Sequence, residues 1–301
     1  MPKRTIYIQN ESTISAKSGS LVISSKEKTA SIPLEDIWIV IIETNRAFIT
    51  AHALSALADS GIGTITCGSN HMPIGLYLPI NGHSRHAGIE DTQLAMPKPL
   101  KKRLWQKIVQ SKIENQSRVL ALLKHKKESD ALQKLAKEVR SGDADNREAV
   151  AASLYFKTLI SQGTRRNSNQ GTSLDYGYAV LRAGIARETI AGGWLASQGI
   201  HHCNNTNSYN LVDDLIEPFR PIVDLLVFSN PLYNKGLSPA AKKILVKVFE
   251  YQININDYSY SVQTAIEKTM SSLKQAVLGS SSDLLLLPKI RTLQKIEVKE
   301  G

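Results

Sequence analysis

The chain has 301 residues, 42% hydrophobic and 21% charged, which excludes a disordered or collagen-like polymer and leaves one large domain or two ordinary ones. Two cysteines, Cys67 and Cys203, exclude a disulfide framework, and no apolar run approaches the roughly 18 residues of a membrane span. Thirty-seven basic residues against 27 acidic give +10, an excess that suits a polyanionic partner. The opening MPKRTIYIQNES has no apolar signal core, so a soluble protein of the reducing cytoplasm is expected.

Residues 1–80 predict a small antiparallel sheet or sandwich. RTIYIQN, STISAKS, SLVISSK, TASIPL and DIWIVIIE are short, rich in Ile, Val, Thr and Tyr, and broken by polar or glycine-containing turns. DIWIVIIE is apolar on both faces and needs cover on both. One helix, ITAHALSALADSG, precedes a return to strand composition in GTITC and PIGLYL. Residues 81–97 lack a period and hold Gly82, Gly88 and Pro97, which predicts a linker. From residue 98 to 301 the period is helical, beginning with KKRLWQKIVQSKIENQSRVLALL. The fold class is therefore α+β, a β domain followed by a larger helical one. The terminal KIRTLQKIEVKEG is expected to fray.

The charge is uneven. Residues 98–140 hold 13 Lys and Arg against 4 Asp and Glu, nearly the whole excess. A helical surface of one sign tracks a phosphate backbone with little sequence preference. Lys101, Lys102, Arg103 and Lys107 are its first candidates for DNA contact.

Three segments could carry chemistry. In GDADNREAVAASLYF, Asp145 and Glu148 have the spacing of a capping box, so Glu148 reads first as a capping carboxylate. His201, His202 and Cys203 are adjacent, poor geometry for one zinc ion. Asp213, Glu217, Arg220 and Asp224 form one polar stripe, with Pro218 and Pro221 inside the run. Glu217 and Arg220 are then an i, i+3 pair on a solvated face. One imidazole with two carboxylates from separate helices would instead suit magnesium or manganese. Tyr176, Tyr178, Arg182 and Arg187 could stack on bases or pack in a core.

Taken in order, PLEDIWIVIIE, ITAHALSALADSGI to TCG, SGDADNREAVAASLYF, LDYGYAVLRA and GIHHCNNTNSYNLVDDLIEPFRP resemble the CRISPR-associated integrases of spacer acquisition, type II members in particular. The resemblance spans about residues 5–275. It implies a β-rich dimerisation domain, a helical catalytic domain, and a Glu–His–acid set that binds Mg2+ or Mn2+. Matched motif by motif, that set is Glu148 in the R-E-A helix start, His202 after Gly199, and Glu217 before Pro-Phe-Arg-Pro. His201 is the neighbour most easily confused with the ligand. The implied activity is insertion of short double-stranded DNA fragments into CRISPR repeat DNA by 3′-hydroxyl attack on a phosphodiester. The implied partners are a second copy of the chain and a small adaptation-complex protein. A stand-alone metal-dependent nuclease of branched or damaged DNA needs the same three residues. A non-catalytic DNA-binding scaffold needs none of them.

Overall fold

The computed structural model describes residues 3–79, 86–160 and 164–292. The chain divides into two compact units, Met1–Ser84 and Arg85–Gly301.

The first unit runs β1 (Arg4–Ile8), β2 (Ser12–Lys17), β3 (Ser20–Ser24), β4 (Thr29–Pro33), β5 (Ile37–Ile42), β6 (Ala47–Ile49), α1 (Ala51–Asp59), β7 (Gly63–Cys67) and β8 (Pro73–Tyr77). These strands form two four-stranded sheets, ordered β1-β5-β7-β8 and β4-β3-β2-β6. The antiparallel expectation holds for the β2–β3–β4 meander. It fails for β1, β5 and β7, which pair in parallel. Parallel neighbours need long connections, and the chain supplies them: the meander links β1 to β5, and β6 with α1 links β5 to β7. Ser18 and Gly19 turn the β2–β3 hairpin at φ 49° and 73°, the pair of positive values that a primed two-residue turn requires. Thr50 caps α1, its hydroxyl accepting the Ala53 N–H at 3.1 Å.

All six residues of β5 are buried. Val40 and Ile42 join Ile8, Ile14, Leu21 and Leu57 in the core, each such side chain contributing about 1.5–3 kcal/mol on burial. The continuous apolar run is thus covered in the single chain, and no face of β5 demands a second copy.

The second unit begins with α2 (His86–Leu94), where a linker was predicted over 81–97; residues 80–85 lie outside the described residues. Periodicity is weak here because the helix is held by tertiary bonds. The Gln93 amide donates to Leu195 O at 3.0 Å and Gln198 O at 2.6 Å, and accepts from Leu195 N at 2.9 Å. Then come α3 (Lys98–Leu122), α4 (Lys126–Glu138), α5 (Arg147–Leu159), α6 (Gly171–Ala191), α7 (Asn210–Ile216), α8 (Arg220–Phe228) and α9 (Pro239–Leu245). A hairpin of β9 (Gln252–Ile255) and β10 (Tyr258–Ser261) leads into α10 (Val262–Leu278).

The 25-residue α3 is the axis against which α4, α5 and α8 pack. The run that carries the polar stripe is two helices, because Pro218 cannot continue α7 and Pro221 sits in the first turn of α8. Gly177 brings α6 and α8 close: a Cβ there would lie 2.5 Å from Val223 Cγ1. Lys289 and Ile290 do not fray. Lys289 bridges Asn254, and Ile290 is buried with its N–H on Asn115 Oδ1 at 3.0 Å. The remainder of that tail, residues 293–301, lies outside the described residues.

Candidate functional site

The start of α5 positions Glu148. Its cap is Asp143, not Asp145. Asp143 Oδ1 accepts the Arg147 N–H at 2.8 Å and Oδ2 the Glu148 N–H at 3.1 Å, while Asp145 faces Arg140 at 3.4 Å. The tight turn at Gly142, Asp143 and Asn146, all at positive φ, carries the cap two residues further back than the box pattern predicts. The Glu148 carboxylate is thereby released from capping.

The loop before α7 positions the imidazoles. Asp214, fully buried, accepts the N–H groups of Ile200 at 2.6 Å, His201 at 2.9 Å and His202 at 3.1 Å, and meets His202 Nδ1 at 2.6 Å. Four contacts use the lone-pair capacity of one carboxylate. Since Asp214 can only accept, Nδ1 carries the proton and Nε2 keeps its lone pair in the neutral ring. The turn is tight enough that a Cβ on Gly199 would fall 2.2 Å from His202 O and 2.8 Å from Asp214 Oδ2.

The two histidines have different surroundings. His201 stacks flat on the buried Trp105 of α3, centroids 4.3 Å apart and planes 2° from parallel. His202 meets Trp105 edge-on at 5.6 Å. The Asp214 bond, against the pull of partial burial, raises the His202 pKa above its ordinary value, and the charges of Glu217 and Glu148 add to the rise.

Glu217 lies in the break between α7 and α8 and is 5% exposed. The Lys112 ammonium, from the buried face of α3, is 2.5 Å from Glu217 Oε2 and 2.6 Å from Glu148 Oε1. Arg220 donates from Nη1 to Glu217 Oε1 at 2.7 Å. Burial alone would raise the Glu217 pKa, but Lys112 and Arg220 outweigh it and hold the carboxyl at about 2. The i, i+3 pair is present, yet on a buried face and not a solvated one.

The structure thus brings Glu148 and Glu217 to one cationic point and sets His202 where it feels both charges. Among the described residues no three His, Cys, Asp or Glu side chains close into a ready cation cage; an ammonium stands at the carboxylates. The donor set nevertheless fits a hard divalent cation: two carboxylates already converging on a positive charge, and one imidazole whose free nitrogen is fixed by Asp214.

Behind this site Asp224 is buried and accepts hydroxyl bonds from Tyr155 at 3.0 Å and from Tyr178. Arg220 lies over the Tyr178 ring at 4.4 Å. Tyr176 and Tyr178 are therefore core residues, and Arg182 is held by Asp213 at 2.6 Å. Of the basic candidates, Lys102 and Arg103 are exposed, Lys101 is half-buried, and Lys107 pairs with Asp283 at 2.7 Å.

Lys112, Asp143 and Asp214 escaped notice in the sequence. Lys112 carried one signal: it shares the phase of Trp105, Ile108, Val109 and Gln116 on the buried side of α3, where an unpaired cation would be costly.

Fold and site together define a two-unit α+β protein whose helical unit carries a carboxylate pair beside a fixed imidazole. The chain belongs to the Cas1 family: the model for "CRISPR associated protein Cas1" matches residues 6–241. It is 40% identical over 304 residues to the CRISPR-associated endonuclease Cas1 of Neisseria meningitidis serogroup C (strain 8013), covering 99% of each chain. Among solved structures it resembles a casposase bound to integration product, with TM-score 0.73 and 18% identity over 93% of this chain and 92% of that one. It also resembles a chain of a Cas6-RT-Cas1–Cas2 complex, with TM-score 0.73 and 17% identity over 94% of this chain and 36% of that one.

Proposed function

We propose that this chain is a divalent-metal-dependent DNA integrase and endonuclease that inserts short duplex fragments into CRISPR repeat DNA. One observation carries the proposal: carboxylates from the start of α5 and from the α7–α8 break converge on a single positive charge beside an imidazole fixed by a buried aspartate. The 40% identity to a named Cas1 endonuclease supports the reaction class. Glu148, Glu217 and His202 Nε2 would hold the cation, Mg2+ or Mn2+, which supplies polarisation of the phosphate and neutralises charge on its oxygens. Asp214 keeps the imidazole oriented, and Arg220 keeps Glu217 ionised. In the joining step a fragment's 3′ hydroxyl oxygen bonds to phosphorus, the repeat's phosphorus–oxygen bond breaks, and the departing 3′ oxygen takes up a proton. With water as the attacking group the same residues cut.

The basic face of α3, with Lys101, Lys102 and Arg103, is assigned to duplex backbone. Homodimerisation through Met1–Ser84 and docking of a small adaptation protein complete the proposal; the second of these is supported by a structural neighbour that occurs in a Cas6-RT-Cas1–Cas2 complex. The test is joining of a labelled duplex to a supercoiled plasmid bearing a repeat, with and without the small partner, in Mg2+, Mn2+ or chelator. Joined product that requires metal and is lost in Glu148→Gln supports the proposal. Joining that survives chelation, or no cutting or joining under any condition, refutes it.

A further inference from the structure

The buried side of α3 carries an ammonium at the place where a cation would be held. Lys112 is 8% exposed. Its Nζ touches one oxygen of Glu148 and one of Glu217, at 2.6 and 2.5 Å, while Arg220 takes the other oxygen of Glu217. Two carboxylates and two cations close into a neutral set. The ammonium links α3 to α5 and to the α7–α8 break.

A divalent ion binding these carboxylates must compete for oxygens already engaged by Nζ. Both charges cannot occupy the space between them: like charges a few ångströms apart repel strongly in a site sheltered from water. We propose that Lys112 is a resident counter-cation of the Glu148–Glu217 pair, that divalent cation loading displaces its ammonium, and that this exchange sets the metal affinity of the site. Lys112 is on this account a positioning residue. It keeps the carboxylates paired and the helices together before loading, and weakens metal binding by the cost of its own removal. The inference rests on the metal-binding function proposed above.

The full chain is titrated with Mn2+ by calorimetry as wild type, Lys112→Met and Glu148→Gln. Lys112→Met keeps an unbranched side chain out to the ε position and removes the ammonium. It should bind Mn2+ at least about tenfold more tightly than wild type, and its melting temperature in chelator should fall below wild type and recover on Mn2+ addition. Equal or weaker Mn2+ binding by Lys112→Met, with binding lost in Glu148→Gln, overturns the inference and leaves the metal site standing. Unaltered binding in Glu148→Gln overturns the metal site and the inference with it. Should Lys112→Met fail to fold, the wild-type protein decides. With 15N-labelled lysine, the protected ammonium signal present in chelator, assigned by its loss in Lys112→Arg, should shift or vanish on saturation with Mg2+. A signal unmoved by Mg2+ overturns the exchange.

Discussion

At the residue scale, the neighbouring histidines are separated by what each ring touches. His202→Ala removes the imidazole fixed by Asp214, and strand joining should fall by at least about a hundredfold. His201→Ala removes a ring stacked on Trp105 and should retain most activity. Equal losses in a side-by-side joining assay would mean that the stack is as necessary as the ligand. Asp214→Asn keeps the shape but presents a donor where four hydrogens point, and should cost roughly 10–100-fold in metal affinity. Two buried carboxylates also predict a two-signed acid response. Burial lifts the Asp224 pKa from 3.8 to about 6, so its contribution is complete below the unfolded pKa and is lost as pH rises through the folded one. Glu217 lies at about 2 against 4.5, so its contribution is complete above 4.5 and is lost as pH falls toward 2. Each shift corresponds to order 3 kcal/mol. Denaturant unfolding in chelator should show stability rising as pH falls from about 7 to about 4, where the two slopes cancel, then declining below it. The rise should be missing in Asp224→Asn; a profile identical to wild type would contradict the assignment.

At the scale of elements, the cap of α5 is a sharp test. Asp143→Ala removes the acceptor for two N–H groups at the helix start and should cost about 0.5–2 kcal/mol, with loss of joining because Glu148 shifts as well. Asp145→Ala should do neither, and the reverse ranking in thermal melts would restore the capping box. The order of elements was legible because periods of two and then of 3.6 residues write themselves along the chain. Glu148, His202 and Glu217 came from motifs of a resembling family, not from spacing. What stayed hidden acts across distance. Lys112 meets Glu148 36 residues on, and Asn115 meets Pro218 and Pro288 at separations of 103 and 173. The cap at Asp143 stayed hidden for a local reason, a left-handed turn that no composition rule places. Helix α2 was missed because Gln93, a polar residue that suggests solvent, is buried and bonded to a loop a hundred residues away.

At the scale of the whole molecule, the excess of positive charge predicts salt-sensitive DNA binding. Each phosphate neutralised contributes roughly 0.9 to the slope of log affinity against log salt. Reversing Lys101, Lys102 and Arg103 together should flatten that slope, whereas Lys107→Glu should matter less because Asp283 already pairs its charge. A slope unchanged by the triple reversal would place the duplex on another surface. With β5 covered in the single chain, the proposed dimerisation would use other surfaces of Met1–Ser84. A sedimentation measurement at micromolar concentration should still give a dimer.

One buried amide draws these scales together. Asn115 donates to the carbonyl of Pro218, the residue after Glu217, at 2.8 Å, donates to Pro288 O at 2.9 Å, and receives the N–H of Ile290 at 3.0 Å. The carbonyl beside a candidate ligand is thus tied, through one side chain of α3, to the segment around Pro288 and Ile290. A truncation before Pro288 would leave Glu148, His202 and Glu217 in the sequence, yet it should loosen the backbone beside Glu217 by removing two of the amide's three partners.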